Sequence, residues 1–450
     1  MLKRPTTEDA DVRLEQRLWL HALAALCLGG GAAKAESIRF DDYFAQGALR
    51  VDVVHSGTRT EDEMSVRRVV KEPVWSGPTE GLLPTFALGQ YRIDVVEEES
   101  GTLIYRYGFS TLFGEWITTD EAKTERRSFE DTFEMPCPKR PVTLSAFVRG
   151  ASGEMKAMFS TRIDPSHHQI GRPPLRSAGA EVVDVLVSGP PSATVDLAIL
   201  GDGYTLEERV KFVNDCAHFA ETFFAVEPFK THRQRFNVRA VFVPSREAGI
   251  DEPRKGIYRD TPFGAACNTF DVERYCMTQD VWAMHDALSD VPHDAILLMA
   301  NSSRYAGGAI YNHYTVFVSD NEYDDYLPVH EFGHGFGGLA DEYYTSAVAY
   351  NEFYPPGVEP WEPNITALLD PANVKWKRFV APGTPIPTRE DDPKHAGGVG
   401  AFEGAGYAAK GLFRPAKDCK MFSKGNRDFC EVCEQGLIDA IDYYAPRRAR

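Results

Sequence analysis

Polar and apolar residues alternate through much of the first third of the chain. Tyr91, Ile93 and Val95 are separated by Arg92 and Asp94, the two-residue period of a strand with one buried face. Glu98-Glu99-Ser100-Gly101 then turns the chain into Leu103-Ile104-Tyr105, a second strand. Residues 142–148 and 155–163 flank Gly150-Ala151-Ser152-Gly153 and repeat the hairpin pattern. Short strands punctuated by Gly and Pro predict an all-β sandwich domain over residues 36–164. A linker follows at 165–178, with Gly171-Arg172-Pro173-Pro174 at its centre. Its His167-His168 pair reads as an exposed turn, because no third metal ligand lies nearby.

Beyond the linker the period changes. Residues 195–200 predict a buried strand and Gly201-Asp202-Gly203-Tyr204 a turn. Thr205-x-x-Glu208 is a capping box, which opens a helix running to about Val226 with Val210, Val213, Ala217 and Phe224 on one face. Strands at 238–243 and 295–300, with a helix around 281–288 between them, make residues 179–450 an α/β domain.

The 450 residues are enough for two or three domains, and 43% hydrophobic with 26% charged residues is globular usage, which excludes a disordered chain. Lysine and arginine total 49 against 66 aspartates and glutamates; a net charge of -17 repels phosphate backbones, so no nucleic-acid partner is expected. No apolar run reaches the roughly 18 residues of a spanning helix, so no membrane span is expected either. Arg17, an apolar stretch over 18–30 and Ala33-Lys34-Ala35 have the form of an export signal over residues 1–35, placing the mature protein in the periplasm or outside the cell. A buried N-terminal helix is the competing reading.

Export permits disulfides. Seven cysteines follow the signal, an odd number that leaves at least one thiol free, with the isolated Cys137 and Cys216 the candidates. Cys430-x-x-Cys433 has metal-ligand spacing, but with only Cys419 to join it a disulfide closing the loop around Met421 is expected, and Cys267–Cys276 is a second candidate bridge.

The informative segment is His330-Glu331-Phe332-Gly333-His334. Residues four apart share a helix face, so His330 and His334 can bind one ion, with Glu331 as general base beside it. Pro328 falls in the first turn of that helix, where its missing N–H costs nothing. A catalytic zinc needs a third protein ligand. Asp341 lies seven residues after His334, about 10.5 Å along a straight helix. The chain must therefore turn back, and Gly337-Gly338 permits it. Asp341 is the expected third ligand, with Glu342 as the competing donor.

The stretch from His330 to Tyr343 resembles the extended motif of the bacterial IgA-specific zinc metallopeptidases, the igalysins. Phe109-Ser110-Thr111-Leu112-Phe113-Gly114-Glu115-Trp116 resembles that family's N-terminal domain. Leu200-Gly201-Asp202-Gly203-Tyr204, Pro253-Arg254-Lys255-Gly256, Glu359-Pro360-Trp361-Glu362 and Phe402-Glu403-Gly404-Ala405-Gly406-Tyr407 are similar to further landmarks. The resemblance, spanning about residues 38–445, implies a metzincin-like zincin domain of α+β or α/β class behind the β-sandwich. It implies one zinc per chain, a peptide or protein substrate, and a methionine turn beneath the metal, for which Met421 is the choice. Ala340 occupies the usual metzincin third-ligand position and cannot ligate, so the motif is stretched by one residue. In zincins the strand before the active helix pairs with substrate; here that is the stretch from Ala306 to Tyr314, where His313 either lines the cleft or bonds within the sheet.

The expected function is thus a secreted zinc-dependent endopeptidase with His330, His334 and Asp341 on the metal and Glu331 as base. The competing readings are an inactive zincin-fold binding module and a zinc amidase with a smaller substrate.

Overall fold

Residues 44–163 form seven antiparallel strands because their apolar positions recur at the strand period. The computed structural model describes residues 38–84, 86, 88–345, 353–425 and 428–447; the expected export signal lies outside them. Strands β1 (Phe44–Thr58), β2 (Glu61–Glu72), β3 (Tyr91–Glu97), β4 (Leu103–Phe109), β5 (Arg127–Pro138), β6 (Val142–Arg149) and β7 (Met155–Ile163) build two sheets, in the orders β2-β1-β5 and β4-β3-β6-β7. The segment 165–178 has no regular element, yet Gly171 is pinned to β2 by Gly171 N–H to Val69 O (2.8 Å) and Lys71 N–H to Gly171 O (3.0 Å).

A six-stranded mixed sheet follows. Its strands are β8 (Glu181–Leu186), β9 (Val195–Asp202), β10 (Phe236–Phe242), β11 (Ala295–Ala300), β12 (Gly307–Ile310) and β13 (Tyr314–Val318), in the order β12-β13-β11-β9-β10-β8. The inner pairs β10-β9, β9-β11 and β11-β13 are parallel, and both edge strands run antiparallel to their neighbours. All eight residues of β9 are buried, the uniform run expected of a parallel strand covered on both faces. Helices α1 (Arg209–Phe223), α2 (Val281–Leu288), α3 (Leu327–Gly335) and α4 (Glu431–Tyr444) complete this part, with a hairpin β14 (Phe402–Ala405) and β15 (Ala408–Arg414) before α4.

The capping box is present: Thr205 N–H donates to Glu208 at 2.9 Å, and a single 3₁₀ turn leads into α1. The buried face of α1 differs in part from the expected one: Phe224 joins the core and Val213 packs against it, but Ala217 and Val210 are exposed. Phe212, Cys216, Phe219, Ala220 and Phe223 face the core, whereas Val210 is 63% exposed. The larger phenylalanines take the core, packing against Phe317 of β13 and Phe332 of α3, and this fixes the rotation of the helix.

One core layer joins α1, α3 and α4 on the mixed sheet. The other joins Phe113, Trp116 and Phe129 of the β-rich part to Val281 and Met284 of α2 and Val316 of β13, so the two parts share apolar packing. Thr111 caps the short helix Leu112–Trp116, accepting from Gly114 N–H at 2.9 Å, and so holds Phe113 and Trp116 in place. Buried polar groups cross the same seam. Arg50 of β1 pairs with Asp52 (3.1 Å), Glu72 (2.9 Å) and Asp286 of α2, and His285 of α2 bonds Glu134 of β5 at 2.7 Å. His313 is drawn into this seam too: its Nε2 lies 3.2 Å from Asp131, which also bonds His55 at 2.6 Å, so it points away from the mixed sheet's cleft.

Candidate metal centre

Helix α3 is short, and its sequence explains both ends. Pro328 sits in the first turn, and the helix stops at Gly335. Gly338, at φ +61, reverses the chain; its N–H donates to His334 O (3.1 Å) and the Leu339 N–H to Gly333 O (3.1 Å). The turn is tight as well as left-handed. A Cβ on Gly337 would lie 2.9 Å from Gly333 O, and one on Gly338 would lie 3.0 Å from the Tyr311 ring. Beyond it, Asn364 holds the strand-like return, accepting from Ala340 N–H (2.7 Å) and donating to Ala340 O (2.9 Å).

That reversal brings three donor atoms face to face. His330 Nε2 and His334 Nε2 are 3.3 Å apart, and Asp341 Oδ1 lies 3.2 Å from the first and 3.3 Å from the second. Tetrahedral bonds of about 2.0–2.1 Å put neighbouring ligand atoms about 3.3–3.4 Å apart, so the triangle has the size a zinc ion requires. Asp341 Oδ1 is buried without a hydrogen-bond partner, an arrangement that a cation would relieve. Glu342 turns the other way and bonds Asn364 (3.0 Å) and Cys433 (3.1 Å).

The far side of each ligand is fixed by hydrogen bonds. His330 Nδ1 faces Lys420 O at 3.1 Å and His334 Nδ1 faces Leu339 O at 2.6 Å. A ring nitrogen facing a carbonyl carries the proton, which leaves each Nε2 with its lone pair inward. The Tyr407 hydroxyl donates to Asp341 Oδ2 at 2.5 Å. Burial opposes a charged His334 ring, but Asp341 outweighs it and raises the His334 pKa to about 9, so a proton occupies the place between them that a cation takes when it binds. Burial also opposes the Asp341 carboxylate, yet the two histidines hold its pKa well below the usual range. Burial pushes the Glu331 carboxyl up, with Asp341 adding to the effect and the histidines working against it.

Residues 183–394 and 389–441 match the family model described as IgA Peptidase M64, and residues 39–160 match the one described as Peptidase M64 N-terminus. The chain belongs to the IgA peptidase M64 family. Membership makes it a metallopeptidase, with a metal cofactor and a protein or peptide substrate. No curated protein matches the chain. Among the described residues no helix is long and apolar enough to cross a membrane.

In this M64 chain, Glu331, His334 and Asp341 border a cavity of about 540 Å³ together with Gly307, Gly308 and Ala309 of β12. The glycines there serve packing first. A Cβ on Gly307 would lie 3.2 Å from Glu331, and one on Gly308 would collide with Tyr275 at 2.4 Å. The outer edge of β12 is engaged at Gly307, whose N–H donates to Arg274 O (3.1 Å), and Tyr311 O accepts from Ser110 N–H (2.9 Å). The β-rich part contributes Thr111 and Glu115 to the cavity wall.

Met421 is fully buried against the motif. A Cβ on Gly333 would lie 2.9 Å from its sulfur, and Met421 O accepts from Glu342 N–H at 2.9 Å. The bridges expected at Cys267–Cys276 and around Met421 are not formed: all seven described cysteines are free, and Cys419 and Cys433 sulfurs stand 3.7 Å apart. Sequence spacing did not single out Arg274, whose guanidinium is held charged by Tyr343, Asp341 and Glu331 despite its burial. It also gave Tyr326 and Tyr407 no role at the site; Tyr326 lies four residues ahead of His330 and its hydroxyl reaches Nδ1 at 3.1 Å.

Proposed function

We propose that this M64 metallopeptidase is an exported zinc endopeptidase whose 179–450 region is a metzincin-like zincin domain, preceded by a β-sandwich over 36–164. The observation that carries the reading is the triangle of His330 Nε2, His334 Nε2 and Asp341 Oδ1, each edge 3.2–3.3 Å, with Glu331 on the same cavity. Zinc, when bound, supplies Lewis-acid polarisation of the scissile carbonyl and activation of the attacking water. Glu331 takes the water's proton and returns it to the leaving amine. Burial raises its affinity for protons above that of an ordinary carboxylate, the direction a general base needs. Lys420 O and Leu339 O orient the two imidazoles, and Tyr407 orients Asp341. Arg274 and Tyr343 line the same cavity, and the Arg274 guanidinium faces Tyr343, Asp341 and Glu331, which sets a positive charge beside the centre. Met421 supplies the turn beneath the motif.

The test is Glu331→Gln. It should keep its zinc, because Glu331 is no ligand, while peptide hydrolysis falls at least about 100-fold, the low end of a general base's contribution. Wild-type turnover of a confirmed peptide by that variant would remove Glu331 from the mechanism.

A further inference from the structure

Behind the triangle lies a second convergence of donor atoms. Glu342, Cys419, Cys430 and Cys433 each offer one ligand atom, all within 4.8 Å of one another, and none of the four is exposed. They arrive from three places: the residue after Asp341, the loop that carries Met421, and the start of α4. Cys430 is the residue just ahead of α4 and Cys433 lies within its first turn, the spacing by which a helix start presents two sulfurs to one ion.

The distances separate two fates for these sulfurs. A disulfide bond is about 2.05 Å long, whereas sulfurs sharing a tetrahedral zinc at about 2.3 Å each stand about 3.8 Å apart. Cys419 and Cys433 are 3.7 Å apart, and Cys433 Sγ is 3.1 Å from Glu342 Oε1. The carboxylate makes the stronger case. Glu342 is 0% exposed, and its Oε2 has no hydrogen-bond partner. A buried, half-satisfied carboxylate is costly without a cation. Arg414 acts on it only from a distance, since its guanidinium is directed to Glu390 and to the carbonyls of Glu403 and Gly404. A disulfide would consume two sulfurs, leave the third idle and leave that carboxylate as it is. A metal ion would satisfy all four donors together. The surroundings already favour bound thiolates: Cys430 N–H donates to Cys419 Sγ at 3.3 Å, and Asn364 donates to Glu342 Oε1 at 3.0 Å.

We propose that Glu342, Cys419, Cys430 and Cys433 form a second, structural zinc site, distinct from the His330, His334 and Asp341 centre. Three thiolates and a carboxylate fill a tetrahedron, which leaves no position for substrate. The site ties α4 and the Met421 loop to the residue adjoining Asp341, so it fixes the third donor of the neighbouring triangle through the backbone.

The full chain, purified without chelator and without added reductant, should contain two zinc ions. The double variant His330→Ala/His334→Ala should retain one. Loaded with cobalt in place of zinc, that double variant should show near-ultraviolet sulfur-to-cobalt charge-transfer absorption, which a histidine and carboxylate centre cannot produce. Cys430→Ala/Cys433→Ala should lose one zinc and this absorption; if that variant fails to fold, the cobalt spectrum of the histidine variant still decides. One zinc in the wild type with none in the histidine variant would overturn the proposal. So would absence of the charge-transfer band, or a peptide map joining Cys419 to Cys430 or Cys433 in folded protein. These readouts are independent of catalysis, so an inactive enzyme with two metals would count against the proposed mechanism and not against this site.

Discussion

Gly338→Ala tests whether the chain reversal after α3 creates the metal centre. Gly338 sits at φ +61, where an alanine costs about 1–2 kcal/mol. Its new Cβ would meet Tyr311 at 3.0 Å and Trp361 at 3.1 Å, both rings of limited freedom, and overpacking adds about 1–3 kcal/mol. Lower unfolded-state entropy returns about 0.4–1 kcal/mol, so a net loss of about 1–5 kcal/mol, centred on about 3, is expected. Gly383→Ala is the control, because Gly383 also has positive φ (+87) but nothing within 4 Å of its Cβ; it should lose about 1 kcal/mol. Urea unfolding monitored by circular dichroism compares the two. Competition with a chelator of known affinity then measures metal retention. Displacing the return segment by a few tenths of an ångström shifts Asp341, so Gly338→Ala should hold zinc at least about tenfold less tightly, equivalent to about 1.4 kcal/mol. If Gly338→Ala matches Gly383→Ala in both measurements, the reversal is not what positions Asp341.

Three further outcomes follow from named contacts. Tyr407→Phe removes the donor to Asp341 Oδ2 and should weaken zinc binding about 10–100-fold with the fold intact, as read by the same competition assay. Asp341→Asn should empty the catalytic centre and abolish peptide hydrolysis, whereas Glu342→Gln should keep the catalytic zinc and the hydrolysis whatever it does to the second site; hydrolysis retained by Asp341→Asn and lost by Glu342→Gln would move the ligand to Glu342. His293 is opposed by burial but paired with Glu134 at 3.4 Å, and its pKa is raised to about 9. A raised histidine pKa contributes stability that is complete below about 6.5 and lost as pH rises through 9. His293→Gln should therefore cost up to about 3 kcal/mol more at pH 6 than at pH 10, on top of a pH-independent loss of the bond to Val291 O, and a deficit that does not change with pH in urea midpoints would refute the pairing.

Local patterns were legible in the sequence and distant partnerships were not. The hairpins over 91–109 and 142–163, the buried run at 195–200 and the helix at 281–288 lie where periodicity placed them, because each is decided by its own residues. The buried face of α1 was legible only in part: Phe224 and Val213 do reach the core, but the rotation that exposes Val210 and Ala217 is set by the aromatic cluster at Phe332 and Phe317. At the site, two histidines four apart and a glycine pair carry their geometry within a dozen residues. Tyr407 and the Lys420 carbonyl reach it from 66 and 90 residues away, with no spacing rule to announce them. The Cys430-x-x-Cys433 spacing hints at a metal, but compartment and the count of only three cysteines there turn that reading toward a disulfide. Nothing in their spacing reveals that the Glu342 carboxylate folds in between them.

Anomalous diffraction at the zinc edge, on crystals of active wild-type protein grown without chelator, would locate the metal by atom. A peak within about 2.0–2.2 Å of His330 Nε2, His334 Nε2 and Asp341 Oδ1, with Glu331 beside it and unbound, is the expected result. No peak among those three atoms in active protein, or a zinc there held by Glu331 in place of Asp341, would show that the catalytic centre has been wrongly assigned.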